Sequence, residues 1–303
     1  MDGFCGPVVG DQVRRDYRSD LAALWQNGPM SWAHRLDTSK PIRLTDFSTK
    51  DNDEFNKEGA QELIKKYGEE LDELEDLQFF AGTHALLIVL QGMDAAGKDG
   101  TIRTILKQSN SQGGHVWGFK VPSAEELAHD YLWRVHKRTP AKGEFAIFNR
   151  SHYEDVLVVR VHSLAPQEVW SKRYDQINDF ERLLAANNTI VVKFFLHISK
   201  EEQEERLLAR EQETEKAWKL SVGDWKERAF WNDYQEAYED VLSKCSHAHA
   251  PWYVVPADKK WFRDAAILRV LVETLRPYRE EWMASLARVG EEAKAELREF
   301  RSS

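Results

Sequence analysis

The sequence predicts an α/β fold, a parallel sheet with helices on both faces. Three observations carry that expectation. Short apolar runs alternate with helix-length amphipathic segments along most of the chain. One run, His84–Leu90, is continuously apolar after its first residue and ends in Gln91-Gly92, the pattern of a strand buried on both faces. That run leads into Gly92-Met93-Asp94-Ala95-Ala96-Gly97-Lys98, a glycine-bounded loop followed by a helical pattern.

In chain order, residues 1–44 carry Gly6-Pro7, Gly28-Pro29 and Lys40-Pro41, which break any regular pattern. They are expected to form an N-terminal extension ahead of a single domain, residues 45–303. Ala60, Leu63, Ile64, Tyr67, Leu71, Leu74 and Leu77 recur at three- and four-residue steps and predict a helix. After the His84–Leu90 strand comes a helix from Lys98 to about Gln108. Gly113-Gly114 then introduces a strand at His115–Phe119. Ser123, with Glu126 three residues on, forms a capping box for a helix running to about Arg138 and stopping at Pro140. Glu144–Phe148 is the third strand, Trp170–Ala186 a helix, and Ile190–Ile198 the fourth strand. Ser199 caps a helix from Lys200 to about Glu211. A helix over Asp224–Leu242, a strand at Trp252–Val255, a helix over Trp261–Leu275 and a charged terminal helix complete the pattern.

Composition bounds the function. The 303 residues are 42% hydrophobic and 31% charged, enough apolar side chains to fill a core. A net charge of −9 weighs against a chain that coats nucleic acid or anionic membrane with its whole surface, and neither is expected as a partner. The longest aliphatic stretch, Ala85–Leu90, is far short of the roughly 18 residues that span a bilayer. No secretory leader is expected from the N-terminus. The two cysteines, Cys5 and Cys245, form no C-x-x-C pair, so a disulfide framework is not expected and a reducing cytoplasm is. Most of the eleven tryptophans are expected to pack in the core or an interface rather than to serve as ligand platforms.

The charge is unevenly placed. Between Asp46 and Asp76, twelve acidic side chains face four basic ones, expected as the solvated face of the first helix. From Lys98 to Arg150, nine basic face five acidic, so this segment is +4 and the rest of the chain −13. Arg134, Lys137 and Arg138 lie on the last turns of one predicted helix and, with Arg150, are expected to form a basic track.

The loop has the residues that hold a phosphate. Gly92, Ala95, Ala96, Gly97, Asp99 and Gly100 supply backbone, the helix N-terminus turns its partial positive charge toward the loop, and Lys98 adds a full charge. Asp99 stands where Ser or Thr commonly offers a hydroxyl to Mg²⁺. Asp94 lies inside the loop, and a carboxylate among phosphates needs a cation between them, so Asp94 is expected to bind Mg²⁺. At the end of the third strand, Asn149-Arg150-Ser151-His152-Tyr153-Glu154 faces the same region. Arg150 can hold a transferring phosphoryl group, and Glu154 can hold the metal or orient an attacking oxygen. His152 is expected only to pack or make one hydrogen bond. Arg206 and Arg210 share a helix face and lead toward Lys216 and Lys219, a pattern read either as a mobile lid over the donor or as a solvated helix.

Together GMDAAGKDGTI (92–102), PSAEELAHDYLWR (122–134), FNRSHYEDVLVVRV (148–161), KAWKLSVGDWKERAFWNDY (216–234) and APWYVVPADKKWFR (250–263) resemble the polyphosphate kinase 2 family, in order over residues 45 to 280. The resemblance implies a P-loop kinase fold similar to thymidylate kinase, with a helical lid at about 206–230. It implies Mg²⁺-dependent (or Mn²⁺-dependent), reversible transfer of the terminal phosphoryl group of polyphosphate to AMP or ADP, with guanine nucleotides as further acceptors. A homo-oligomer, dimer or tetramer, is the expected assembly. By motif, Asp94 and Lys98 correspond to Walker A residues, Arg150 to the Walker B arginine, and Arg206 and Arg210 to the lid. Asp233 lies in Trp231-Asn232-Asp233-Tyr234, where the family pattern has a second Asp in place of Asn232, and is implied as a metal or nucleotide contact. Glu154 resembles the subgroup that accepts both AMP and ADP. Two other functions fit the loop: an ATP-dependent nucleoside monophosphate kinase, which needs no cationic track past the γ-phosphate, and a non-catalytic sensor, which needs neither Lys98 nor Arg150.

Overall fold

The structure is a computed structural model that describes residues 32–36, 40–50, 55–109, 112–212 and 222–302. In chain order its strands and helices are β1 (His34–Arg35), α1 (Lys57–Ala81), β2 (Ala85–Gly92), α2 (Lys98–Gln108), β3 (Gly114–Gly118), α3 (Ala124–Leu127), α4 (Trp133–His136) and β4 (Phe145–Asn149). A single 3-10 turn at His152–Asp155 follows. Then come α5 (Val158–Val161), α6 (Gln167–Trp170), α7 (Arg173–Ala186), β5 (Thr189–His197), α8 (Lys200–Gln212), α9 (Val222–Arg228), α10 (Trp231–Lys244), β6 (Trp252–Pro256), α11 (Lys260–Leu275) and α12 (Arg279–Ser302).

The strands form one sheet in the order β1-β6-β5-β2-β4-β3. All pairings are parallel except β1 with β6. β2 lies at the centre with every residue buried, which is why its sequence is continuously apolar rather than alternating. The chain passes from β2 to β3 and β4 on one side and returns to β5 and β6 on the other. The carboxyl ends of β2, β4, β5 and β6 therefore converge at the switch point where an open α/β sheet holds its ligand. This is the expected P-loop kinase architecture.

Two local rules fix the helix that flanks the sheet. The Asn56 side chain accepts the Gly59 N–H at the start of α1, and Gly82, at φ 60°, ends it in the left-handed conformation that glycine adopts without strain. The acidic face of α1 is partly paired rather than wholly solvated: Arg276 donates Nε and Nη2 to Glu70 at 2.5 and 2.7 Å.

The sheet begins earlier than the boundary expected at 44/45. β1 is a two-residue antiparallel edge, His34 opposite Val254 and Arg35 opposite Tyr253, too short to carry any periodicity. The helix expected over 124–138 is two short helices. The Ser123–Glu126 capping box forms, but the Asp130 carboxylate then accepts the N–H groups of Leu132 and Trp133 at 2.9 and 3.1 Å and starts a second helix. The helices expected over 170–186 and 224–242 are also each divided in two. Among the described residues, no helix is long and apolar enough to cross a membrane. Trp252 and Trp282 are among the largest fully buried side chains, and Cys245 is buried and unpaired with another cysteine.

Candidate active site

The phosphate loop is built on left-handed backbone, and at Gly97 no side chain would fit. Gly97 has φ 108°, and a Cβ there would stand 1.8 Å from Arg263 Nη1. Ala95 is itself left-handed, at φ 61°. Lys98 opens α2 and folds back over the loop, donating Nζ to Gly92 O at 2.6 Å and Met93 O at 3.2 Å. Burial lowers the Lys98 pKa, and Arg150 adds to that; Asp94, Glu154 and Asp99 oppose it. An anion laid on the loop would oppose it further. Within the loop, the Ala96 N–H bonds to Met93 O and the Gly100 N–H to Gly97 O. These two amides hold the loop's shape instead of facing a ligand. Asp99 accepts a hydrogen bond from Asn149 Nδ2 at 2.8 Å, which ties α2 to the end of β4.

Arg150 stands past the end of β4, also at positive φ (61°). Its N–H reaches Leu90 O on β2 at 3.1 Å, so the turn is anchored to the phosphate-loop strand. Its Nη2 meets Asp94 Oδ1 at 2.7 Å, and its Nη1 lies 3.7 Å from Glu154 Oε2. The structure therefore gathers Asp94, Lys98, Arg150 and Glu154 into one group of alternating charge. Arg150 is 41% exposed while Glu154 is only 14% exposed. Burial raises the Glu154 carboxyl above its ordinary range, against the pull of Arg150 and Lys98.

The oxygen donors in this group suit a hard divalent cation. Asp94 and Glu154 flank Arg150, and the buried Gln91 Oε1 has no hydrogen-bond partner while Gln91 Nε2 donates to Ser151 Oγ. Asp233 does not join them. It is exposed on the first turn of α10, and no cluster of three metal-binding side chains occurs among the described residues. The expected three-carboxylate set reduces to Asp94 and Glu154. What α10 brings near the site is the buried Tyr238, and one turn earlier Tyr234, whose hydroxyl donates to Glu227 at 2.8 Å; burial raises both phenols, Glu227 adds to Tyr234, and Glu154 adds to each. Their i, i+4 spacing was the available signal.

The basic track is shorter than expected. Arg134 is buried, donates Nη1 to Lys120 O at 2.8 Å and lies over the Phe119 ring. Its charge serves the fold. Lys137 and Arg138 remain exposed, each lying 4.0 Å from a ring centroid, Trp133 and Trp117 respectively.

Arg206 is no lid residue. All its donors are engaged: Nε with Glu202, Nη1 with Ala95 O and Ala96 O, Nη2 with Ala257 O and Asp258 O. Arg263, from α11, reaches the same Ala96 O at 3.2 Å. Two buried arginines from different elements thus hold the outward carbonyls of the loop. Arg263 was missed in the sequence, because nothing in a helical KWFR run marks one cation as turned inward. Arg210 pairs with Asp224 of α9 at 2.7 Å. Lys216 and Lys219 lie outside the described residues.

A family model described as Polyphosphate kinase 2 (PPK2) matches residues 54–281. An AMP/ADP-polyphosphate phosphotransferase of Meiothermus ruber is 49% identical over 244 residues, 80% of this chain and 91% of that protein. An ADP-polyphosphate phosphotransferase of Rhodopseudomonas palustris is 47% identical over 73% of this chain and 80% of that protein. The crystal structure of polyphosphate kinase 2 from Arthrobacter aurescens TC1 superposes with a TM-score of 0.78 at 38% identity, covering 85% of this chain and 95% of that one. A match running unbroken from ahead of α1 to the start of α12 takes in the loop, both carboxylates and both clamp arginines, and so the chain belongs to the polyphosphate kinase 2 family.

Proposed function

We propose that the protein moves the terminal phosphoryl group of inorganic polyphosphate to AMP and ADP, and back. The observation that carries this reading is the Asp94–Lys98–Arg150–Glu154 group at the mouth of a phosphate loop. Its two cations can share the charge of a phosphoryl group in transfer, and its two carboxylates leave room for a divalent metal between protein and phosphate.

In the reaction, an oxygen of the nucleotide's terminal phosphate attacks the terminal phosphorus of the chain. The bond to the next phosphate breaks, and a polyphosphate one unit shorter leaves. Lys98 holds the phosphoryl oxygens from the loop side. Arg150, once released from its pairing with Asp94, holds them from the β4 side. The Arg206–Arg263 clamp keeps the loop amides in place, so that little reorganisation remains at the moment of transfer. Asp94 and Glu154 would hold Mg²⁺, or Mn²⁺ in its place, and the metal would supply neutralisation of the phosphate charge. Lys137 and Arg138, both exposed, would meet a long polyanion ahead of the site, and the reducing cytoplasm is the compartment in which such a protein would work.

The test is the purified protein with Mg²⁺, long-chain polyphosphate and AMP or ADP, and no ATP. ADP or ATP should accumulate; no product from polyphosphate, with product from ATP and AMP, would make it an ATP-dependent nucleotide kinase instead. For the acceptor, Glu154→Asn should reduce use of AMP more than use of ADP, and equal losses would count against acceptance of both through this residue.

A further inference from the structure

Gln203 sits on α8 and is 1% exposed. Its Nε2 donates to Asp94 O at 3.0 Å. Its Oε1 accepts from Arg228 Nη1, on α9, at 2.9 Å. The orientation of the amide follows from chemistry: a carbonyl oxygen can only accept and a guanidinium can only donate, so each end has one possible partner. Arg228 is itself fixed to α8, donating to Lys200 O at 2.7 Å and Glu204 Oε2 at 2.5 Å. One buried amide therefore connects the backbone of the loop's carboxylate residue to the last residue of α9.

We propose that Gln203 is a positioning residue that transmits the seating of α9 to the phosphate loop. Asp94 is held at two points: Arg150 orients its carboxylate and Gln203 fixes its carbonyl. When Arg228 is seated, the Gln203 oxygen is engaged and its N–H is directed at Asp94. When Arg228 is withdrawn, the amide loses the partner that sets its direction, and Asp94 O loses a donor held in place by a buried side chain. Arg206, one turn along the same helix, holds the next two carbonyls, and none of its hydrogen bonds reaches α9, whereas Gln203 bonds to both α9 and the loop.

The inference rests on the phosphotransferase reading, and two readouts keep the two apart. In Gln203→Glu the Arg228 end is retained and the donor to Asp94 is removed; Gln203→Met removes both ends. Both should lower kcat about tenfold with KM for polyphosphate changed less than about twofold, because the loop end is the one that matters. Arg228→Met should lower kcat about threefold alone and nothing further on top of Gln203→Met. Glu204→Gln, which leaves the Gln203 contacts in place, should keep full kcat. Amide hydrogen exchange of the 92–98 peptide in the protein without substrate should quicken in the Gln203 and Arg228 variants but not in Glu204→Gln. A Gln203→Glu protein with unchanged kcat and unchanged exchange at 92–98 would overturn the proposal, as would losses from Gln203 and Arg228 that simply multiply. If the wild-type protein makes no nucleotide from polyphosphate, the activity reading fails while the exchange measurement still decides the relay.

Discussion

Two lysine–carboxylate groups lie on either side of the short stretch from Arg150 to Glu154, and they are built to opposite ends. On the inner side, Lys193, Glu181, His152 and Tyr153 are all fully buried. Lys193 Nζ donates to Glu181, to Tyr153 Oη at 2.8 Å and to Cys245 O at 2.6 Å, which uses all three protons. Glu181 also accepts from His152 and Tyr153, and although burial pushes its carboxyl up, Lys193 and His152 outweigh burial and hold it below the ordinary range. On the outer side, Lys98 rests on two loop carbonyls, and Arg150 bridges two carboxylates while 41% exposed. The inner group is closed by protein. The outer group is held in shape by protein but left open for phosphate and cation. Charge alone does not mark a site; the site is the group whose partners are replaceable.

That contrast is broken most directly at the outer group. Lys98→Ala and Arg150→Ala should each lower kcat about 10²- to 10³-fold, the cost of losing one fixed donor to a charged transition state. The melting temperature should move less than in the inner-group variants, since Arg150 is 41% exposed and Lys98 donates only to two loop carbonyls. Asp94→Asn should behave alike and should weaken the dependence on Mg²⁺ concentration. Near-normal turnover in any of them would remove that residue from the site.

The inner group should answer in stability. Lys193→Met leaves the Glu181 carboxylate buried without its cation, a loss of about 3–5 kcal/mol, which thermal unfolding would show as a drop of roughly 10 °C in a chain of this size. Turnover per folded molecule should stay close to wild type. The double change Lys193→Met with Glu181→Leu should recover part of the loss, because no unpaired charge remains.

Between the two stands the arginine clamp. Arg206→Lys keeps the charge but offers three donors where five are engaged, and it cannot reach two pairs of carbonyls at once. A fall in kcat of about tenfold with a loss of about 2 kcal/mol is expected, read from kinetics and denaturant unfolding on the same preparation. Arg210→Lys, which touches only the partly exposed Asp224 pair, should change stability by less than about 1 kcal/mol.

How much of this the sequence held depends on how local each feature is. The β2 run, the glycine loop and the start of α2 are legible because a buried strand, a phosphate loop and a helix N-terminus are each specified within about ten residues. The Ser123–Glu126 box was legible for the same reason. The break at Asp130 was not, because an aspartate inside a helical pattern reads as solvated until its carboxylate is seen to take two amides. The direction in which a cation points was not legible at all. Arg134 and Arg206 look like any surface arginine in sequence, and the carbonyls that turn them inward, Lys120 O and Ala95 O, lie on other elements. Gln203 carries no charge and so gave no signal. Asp233 was placed by motif, and the exposed first turn of α10 does not bring it to Asp94 and Glu154.

An effect confined to acid pH tests the same distinction away from the site, at an inward-facing histidine. His197, at the end of β5, is 6% exposed, and its Nδ1 has no hydrogen-bond partner. Burial lowers its pKa below the ordinary 6.5, only partly opposed by backbone contacts at Phe47 and Leu44 and by Asp258. Above pH 6.5 the ring is neutral in both folded and unfolded chains, and its contribution to stability does not change with pH. Below 6.5 the unfolded chain takes up a proton that the folded one resists, so stability must fall with falling pH until the folded ring also titrates. The slope cannot exceed about 1.4 kcal/mol per pH unit for one group. His197→Gln, which cannot titrate, should therefore flatten the dependence of unfolding free energy on pH between 6.5 and 5 by up to that amount, while leaving kcat at pH 8 unchanged. An unaltered slope would mean that His197 finds a partner for its proton in the folded protein, and that its buried nitrogen is less closed off than that of Lys193.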